Sequence, residues 1–428
     1  MYPNLYYFFK ETFNIEIGFL RFINSFGFFV AIAFLVAAAL LAHELRRKSK
    51  QGLFQPTEMK VVVGKPATIS ELITNFLLGF ILGYKIIALF FLSSDATRDP
   101  QEYIFSTMGN WPAGIITGLA FAAIKWWEKK KNQLPKPEER TVRLWPQDRV
   151  GEITILALVL GLVGAKMFDI FENWDSFLKN PAETIFSGGG LTFYGGLICA
   201  TIAIIIYAKK HKIGVRYLAD AIAPSLMIAY AIGRIGCQVA GDGDWGIYNS
   251  AYKVDSTTNE IVVAAPDDFA KTILVEPDYF RANTNIQHSY SPKPGALGFL
   301  PNWFFAYNYP NNVNSVGVPI PGCNEQRFCS QLPVPVFPTP LYEIIACTLL
   351  FFLLWGLRDR LRPAGSLFAL YLFLNGLERF FIEKIRVNNK MNFLGFHPTQ
   401  AEVIALGLML TGIVLWIFLR QKYQANKK

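Results

Sequence analysis

Phe22-Ile23-Asn24-Ser25-Phe26-Gly27-Phe28-Phe29-Val30-Ala31-Ile32-Ala33-Phe34-Leu35-Val36-Ala37-Ala38-Ala39-Leu40-Leu41-Ala42 carries no charged side chain, and His43-Glu44-Leu45-Arg46-Arg47-Lys48 follows at once. An uncharged apolar run of about 20 residues is long enough to cross a bilayer as a helix. Ala37-Ala38-Ala39 has the look of a signal-peptide cleavage site. The segment before it, however, is long and acidic-aromatic rather than short and basic, and a basic cluster follows immediately, so an uncleaved anchor is expected. Comparable apolar blocks recur along the chain, and the expected spans are about 19–42, 72–92, 109–127, 152–172, 189–208, 217–240, 341–357, 366–385 and 397–419. The fold class is therefore all-α: a polytopic membrane helix bundle of about nine transmembrane helices with a large extracytoplasmic loop or cap.

Composition agrees. Of 428 residues, 52% are hydrophobic and only 17% charged, against about 25% charged in soluble domains, which excludes an ordinary cytosolic enzyme. An aromatic content of 15% excludes disorder. The net charge of +9 encodes topology rather than a nucleic-acid partner. Its basic residues cluster after the first, third, fifth, seventh and ninth spans (Arg46 to Lys50, Lys129 to Lys131, Lys209 to Lys212, Arg358 to Arg362, Arg420 to Lys428). The positive-inside bias then puts the N-terminus outside and the C-terminus in the cytoplasm. The expected segments are 1–71 with the first helix and a cytoplasmic loop, 72–150 with a helix pair and a basic loop, 151–240 and 341–428 as the two halves of a transmembrane core, and 241–340 as an outer cap. On that oxidising face, Cys323 and Cys329 are placed to form a disulfide.

Charged side chains inside apolar spans are expensive and mark functional sites by default. Three groups stand out. Gly233-Arg234-Ile235-Gly236-Cys237 closes the sixth span and runs into Gly241-Asp242-Gly243-Asp244-Trp245-Gly246; a snorkelling arginine before a tight turn is the plainer reading. Asn375-Gly376-Leu377-Glu378-Arg379 and Glu383, Lys384, Arg386 lie in the eighth span. There Arg379 and Glu383 share a helix face, and a self-neutralising pair would explain those two but not Glu378 and Arg386. Two arginines from separate helices in the outer half of a bilayer suit an anionic, phosphate-bearing ligand. Gly188-Gly189-Gly190-Leu191-Thr192-Phe193-Tyr194-Gly195-Gly196 opens the fifth span, where close helix packing is the plainer alternative. The four histidines are scattered and no His or Cys pair has ligand spacing, so no metal and no cofactor is expected.

Taken together, these residues resemble the prolipoprotein diacylglyceryl transferase family. Gly233-Arg234-Ile235-Gly236 through Gly241-Asp242 to Trp245-Gly246 is similar to its arginine-centred signature, and Asp220-Ala221-Ile222-Ala223-Pro224 to the segment before it. Leu191–Leu197, Pro338-Thr339-Pro340-Leu341-Tyr342-Glu343, and Arg379 with Glu383 and Arg386 match further motifs in the same order. Tyr194 stands where some members carry His. Phe26, Phe337, Pro340 and Asn375 also depart from the usual residues, and the second and third spans look inserted relative to a family-like seven.

The resemblance implies an enzyme of the bacterial cytoplasmic (inner) membrane with its active site toward the outer leaflet. It would transfer the diacylglyceryl group of phosphatidylglycerol to the lipobox cysteine of a prolipoprotein signal peptide, forming a thioether and releasing glycerol phosphate. It implies catalytic roles for Tyr194, Arg234, Arg379, Asp242 and Glu383, and headgroup binding by Arg234, Arg379, Arg386, Gly195, Gly196, Gly236 and Asn375. Tyr194 is the positional candidate for base or orienting group; Asp242, Glu383 and His397 are alternatives, as is ionisation of the thiol by the arginine field alone. The partners expected are phosphatidylglycerol, the signal peptide and membrane lipids, with a monomeric enzyme and no nucleic acid. Two other functions use the same residues: an anionic-lipid transporter, and a non-catalytic membrane member that binds partner proteins.

Overall fold

The computed structural model describes residues 1–87, 108–186, 192–255, 258–282, 286–323, 327–387, 391 and 397–425. The end of the second expected span and Gly188 to Leu191 lie outside them. In chain order the helices are α1 (Leu5–Phe13), α2 (Ser25–Lys50), α3 (Ile69–Leu82), α4 (Trp111–Lys131), α5 (Val150–Glu172), α6 (Trp174–Lys179) and α7 (Pro181–Phe186). They continue with α8 (Phe193–Lys210), α9 (Val215–Ala240), α10 (Asp268–Val275), α11 (Pro277–Ala282), α12 (Thr339–Leu357), α13 (Ser366–Glu383) and α14 (Gln400–Ala425). Among the described residues, six helical stretches are long and apolar enough to cross a membrane: Ser25–Lys50, Ile69–Ile86, Pro146–Glu172, Val215–Ala240, Thr339–Leu357 and Gln400–Ala425. The chain is thus a polytopic helical membrane protein. Helices α4, α8 and α13 occupy the other three expected spans; α13 carries Glu378, Arg379 and Glu383 within its 18 residues.

The chain divides into two compact units, residues 42–215 and residues 1–41 with 216–428. In the first, α3 and α4 form a tight hairpin because glycines sit where the helices cross. A Cβ on Gly79 would lie 2.7 Å from the Thr117 carbonyl oxygen, and the Thr117 hydroxyl donates to the Gly79 carbonyl at 2.8 Å. A capping box between Thr68 and Glu71 starts α3, and the Asn110 side chain caps α4. An antiparallel ribbon flanks the hairpin in sequence, Thr57–Val63 pairing with Glu138–Leu144. Helices α5 and α8 pack in the same manner through Gly164, Gly195 and Gly196.

In the second unit α9, α12 and α13 surround Ala223, Met227, Ala231, Cys347, Phe351, Leu354 and Leu367. The buried Asp220 carboxylate accepts from the Gly365 and Phe368 amides at 2.7 and 3.0 Å, satisfying donors at the start of α13 that the helix leaves unpaired. Glycines again permit close approach of α13 and α14, where a Cβ on Gly376 would meet the Ala405 carbonyl at 2.6 Å. Between α9 and α12 the chain folds into short strand pairs and helices with their own cores. Tyr248, Phe280, Tyr309, Leu332, Val334 and Val336 form one, and Ala251, Tyr252 and Ala306 another. Cys323 and Cys329 are joined by a disulfide here.

Candidate functional site: a layer of arginines and carboxylates

Helix periodicity explains why the charges meet. On α9 the core residues Met227 and Ala231 alternate with Tyr230 and Arg234; on α12 Glu343 lies one turn before Cys347; on α13 Glu378 lies one turn after Leu374, which packs against the same core. Positions three and four apart share a helix face. The polar residues therefore form one layer, stacked at the same end of the apolar core.

Glu343 is the hub of that layer. Its side chain has no solvent exposure; Oε2 lies 3.0 Å from Arg234 Nε, and Oε1 lies 3.4 Å from Arg379 Nη1. The Tyr230 hydroxyl donates to Oε1 at 2.6 Å. Arg379 also pairs with Glu383, Nη2 to Oε2 at 3.1 Å, and the Thr399 hydroxyl donates to the other Glu383 oxygen at 2.7 Å. Arg234 donates to Asp244, whose second oxygen accepts from Arg386. One carboxylate thus bridges two guanidiniums, one on α9 and one just beyond the end of α13. Burial alone would raise the Asp244 carboxyl's pKa, but Arg386 and Arg234 outweigh it and hold it below the ordinary carboxylate range.

The backbone fixes this bridge. Gly246 donates to the Phe337 carbonyl and Ile247 to the Ile385 carbonyl, each at 2.9 Å. Only glycine fits at 246, because a Cβ there would lie 2.5 Å from the Ile385 oxygen. The turn before it needs positive φ at Gly241 (+64°) and Gly243 (+97°). The Thr339 hydroxyl holds the Asp244 carbonyl at 2.8 Å.

The structure brings Arg234, Arg379, Arg386 and Glu383 into one layer. It puts Asp244, rather than its neighbour Asp242, between the arginines. The Asp242 side chain accepts instead from the Asp244 amide at 3.3 Å, and burial, followed by the nearby Asp244 charge, pushes its carboxyl's pKa up. Asn375 is half-buried one turn before Arg379. Gly236 lets α9 approach α2, a Cβ there meeting Phe26 at 3.2 Å. Tyr194 is half-buried at the start of α8, in the unit formed by residues 42–215. Gly195 and Gly196 beside it lie against the carbonyls of Gly164 and Gly161, at 2.5 and 2.8 Å for an added Cβ, which is the close-packing role. Sequence reasoning assigned no role to Tyr230, Glu343, Thr399 or Asp244. The usable signals were Tyr230 one turn before Arg234, and Glu343 closing the Leu341-Tyr342-Glu343 motif.

Cys237, Asp242 and Asp244 present donor atoms within 4.8 Å of one another. Two of these donors already face a guanidinium, since Cys237 Sγ is 3.7 Å from Arg234 Nη1 and Asp244 bonds both Arg234 and Arg386. That environment favours an anion over a divalent cation.

The family described as prolipoprotein diacylglyceryl transferase matches residues 103–418. Among curated relatives, the phosphatidylglycerol–prolipoprotein diacylglyceryl transferase of Dehalococcoides mccartyi (strain ATCC BAA-2100) is 29% identical over 283 residues, covering 65% of this chain and 81% of the relative. The protein of the same name from Leptospira interrogans (strain Fiocruz L1-130) is 28% identical over 279 residues, 59% of this chain and 66% of the relative. That of Bacillus cereus (strain G9842) is 25% identical over 288 residues, 66% and 81% respectively.

Proposed function

The chain belongs to the prolipoprotein diacylglyceryl transferase family, and from that premise we propose how its arginine layer carries out the reaction. The reaction transfers the diacylglyceryl group of phosphatidylglycerol to the lipobox cysteine of a prolipoprotein, the first step of lipoprotein maturation. The thiolate sulfur attacks the glyceryl carbon that bears the phosphate. The S–C bond forms, the C–O bond breaks, and the electron pair leaves on the oxygen of glycerol phosphate.

The observation that carries this reading is the convergence of Arg234, Arg379 and Arg386 around Glu343 and Asp244. The leaving phosphate gains negative charge in the transition state. Fixed guanidiniums in a water-poor layer stabilise that charge more than the starting diester, which is how preorganised donors lower a barrier. Glu343 and Glu383 orient Arg234 and Arg379, so their planes need no rearrangement as charge develops. The same field lowers the cost of ionising the substrate thiol, whose unperturbed pKa is about 8.5. The family resemblance makes Tyr194 the candidate to take the thiol proton or orient the peptide. Asn375 adds an amide donor beside Arg379 for the headgroup.

This reading takes the chain as crossing the inner membrane nine times, N-terminus outside, with basic clusters on the cytoplasmic side. The enzyme is taken as a monomer. The folded segment between α9 and α12 would face the peptide. The test is to purify the protein in detergent, supply phosphatidylglycerol with a lipobox peptide, and follow glycerol phosphate. Release with the Cys peptide and none with a Ser control is expected. No release with either would remove the transferase reading.

A further inference from the structure

We propose that Asp244 is an exchangeable counter-anion: its carboxylate occupies the phosphate position between Arg234 and Arg386, and the lipid phosphate takes its place on binding. The proposal rests on the transferase reading of this layer and adds a step to it. The charge balance of the layer makes such a step necessary. Arg234, Arg379 and Arg386 face Asp244, Glu343, Glu378 and Glu383, so the layer already holds at least as many carboxylates as guanidiniums. A phosphodiester entering such a site meets arginines whose attraction is already used, unless one carboxylate leaves.

Only one is built to leave. The side chains of Glu343 and Glu383 have no solvent exposure and are held by tyrosine, threonine and arginine donors. Glu378 is 7% exposed and enclosed by the helices. Asp244 is the exception, with 33% of its side chain exposed, on a turn rather than a helix. Its backbone is pinned by the Thr339 hydroxyl and by the neighbouring Gly246 and Phe337 bond, so exchange needs a side-chain rotation and no movement of the chain. Arg386 points the same way. Its Nη2 donates to Asp244, while its Nη1 is buried without a hydrogen-bond partner among the described residues. Asp244 gives one oxygen to each arginine; the two non-bridging oxygens of a phosphodiester can replace them, and the third terminal oxygen of the departing glycerol phosphate can reach the unused donor.

The exchange predicts a result that a scaffold role does not. Removing the Asp244 charge frees two arginines, so Asp244→Asn should bind glycerol phosphate about tenfold tighter or more, the size of an ordinary coupling between competing ligands. The KM for phosphatidylglycerol should fall with it, and kcat should fall too as product leaves more slowly. If Asp244 only holds the arginines in place, the variant binds more weakly or unchanged and KM rises. The experiment titrates the full chain in detergent with glycerol phosphate by calorimetry, for wild type, Asp244→Asn and Asp244→Ser, alongside turnover on phosphatidylglycerol. Tighter binding in either folded variant supports exchange. Wild-type binding with unchanged or weaker binding in the variants overturns exchange and leaves the transferase reading standing. Absence of both wild-type binding and turnover overturns the two together.

Discussion

Arg234 Nε lies 3.0 Å from Glu343 Oε2, and that carboxylate has no solvent exposure. The same group pairs with Arg379 and accepts from Tyr230, so its removal leaves two buried guanidiniums short of a counter-charge. Breaking a buried pair from one side costs about 3–5 kcal/mol. Glu343→Ala should therefore lose most of its folded yield in detergent, read by thermal melting and gel filtration. Glu343→Gln keeps the shape and loses the charge, so it should fold with a smaller loss and turn over slowly. A Glu343→Ala protein melting like wild type would remove the hub role.

Replacing Arg234 or Arg379 with Lys keeps the charge and discards the fork. Lysine offers a point charge that cannot serve two carboxylates (Asp244 and Glu343 for Arg234, Glu343 and Glu383 for Arg379), or a phosphate, from two directions at fixed angles. Loss of an oriented donor to developing charge lowers kcat by roughly 10²–10³. That loss is expected in both variants, with melting temperatures close to wild type. Near-normal release of glycerol phosphate by either would take that arginine out of the site.

The sequence makes the arginines legible because charge inside an apolar run stands out on its own. Arg234 and Arg379 could be chosen without knowing what touched them. Glu343 could not, since it sits at the start of an apolar helix where an acidic residue has a second explanation as a favourable charge at a helix N-terminus. Asp242 and Asp244 are indistinguishable in a Gly-rich turn. Which one faces Arg234 and Arg386 depends on the positive φ of Gly241 and Gly243 and on the contact of Gly246 with Ile385, and these are tertiary facts. Gly195 and Gly196 show the opposite. Their spacing is that of helix packing, and the structure fills their space with α5 backbone. The apolar runs themselves reported helices well, because length and hydropathy are local properties.

Glu378 has both carboxylate oxygens buried with no hydrogen-bond partner among the described residues. A buried charge without donors is costly, and it stands beside Arg379, which already has Glu343 and Glu383. Glu378→Gln should therefore melt at or above the wild-type temperature and keep its turnover within a few-fold, roughly the effect of an ordinary conservative change. A hundredfold loss of kcat at unchanged melting temperature would instead place Glu378 in the path of the proton.

The lowered carboxyl of Asp244 fixes the sign of a pH effect. A group whose folded pKa lies below its unfolded value contributes stability above the unfolded value, about 3.9 for an aspartate, and loses it as pH falls through the folded one. Arg386 and Arg234 hold Asp244 low against the opposing effect of burial. Asp244→Asn lacks this contribution at every pH. The melting-temperature gap between wild type and Asp244→Asn should thus stay constant from neutral pH down to the ordinary carboxylate range, then close only below it. Measured across a pH series without phosphate, a gap that closes well above that range would mean the arginines do not hold the carboxylate in solution. Added glycerol phosphate should narrow the gap at neutral pH, because it replaces Asp244 between the same two guanidiniums and adds more stability to the variant than to wild type.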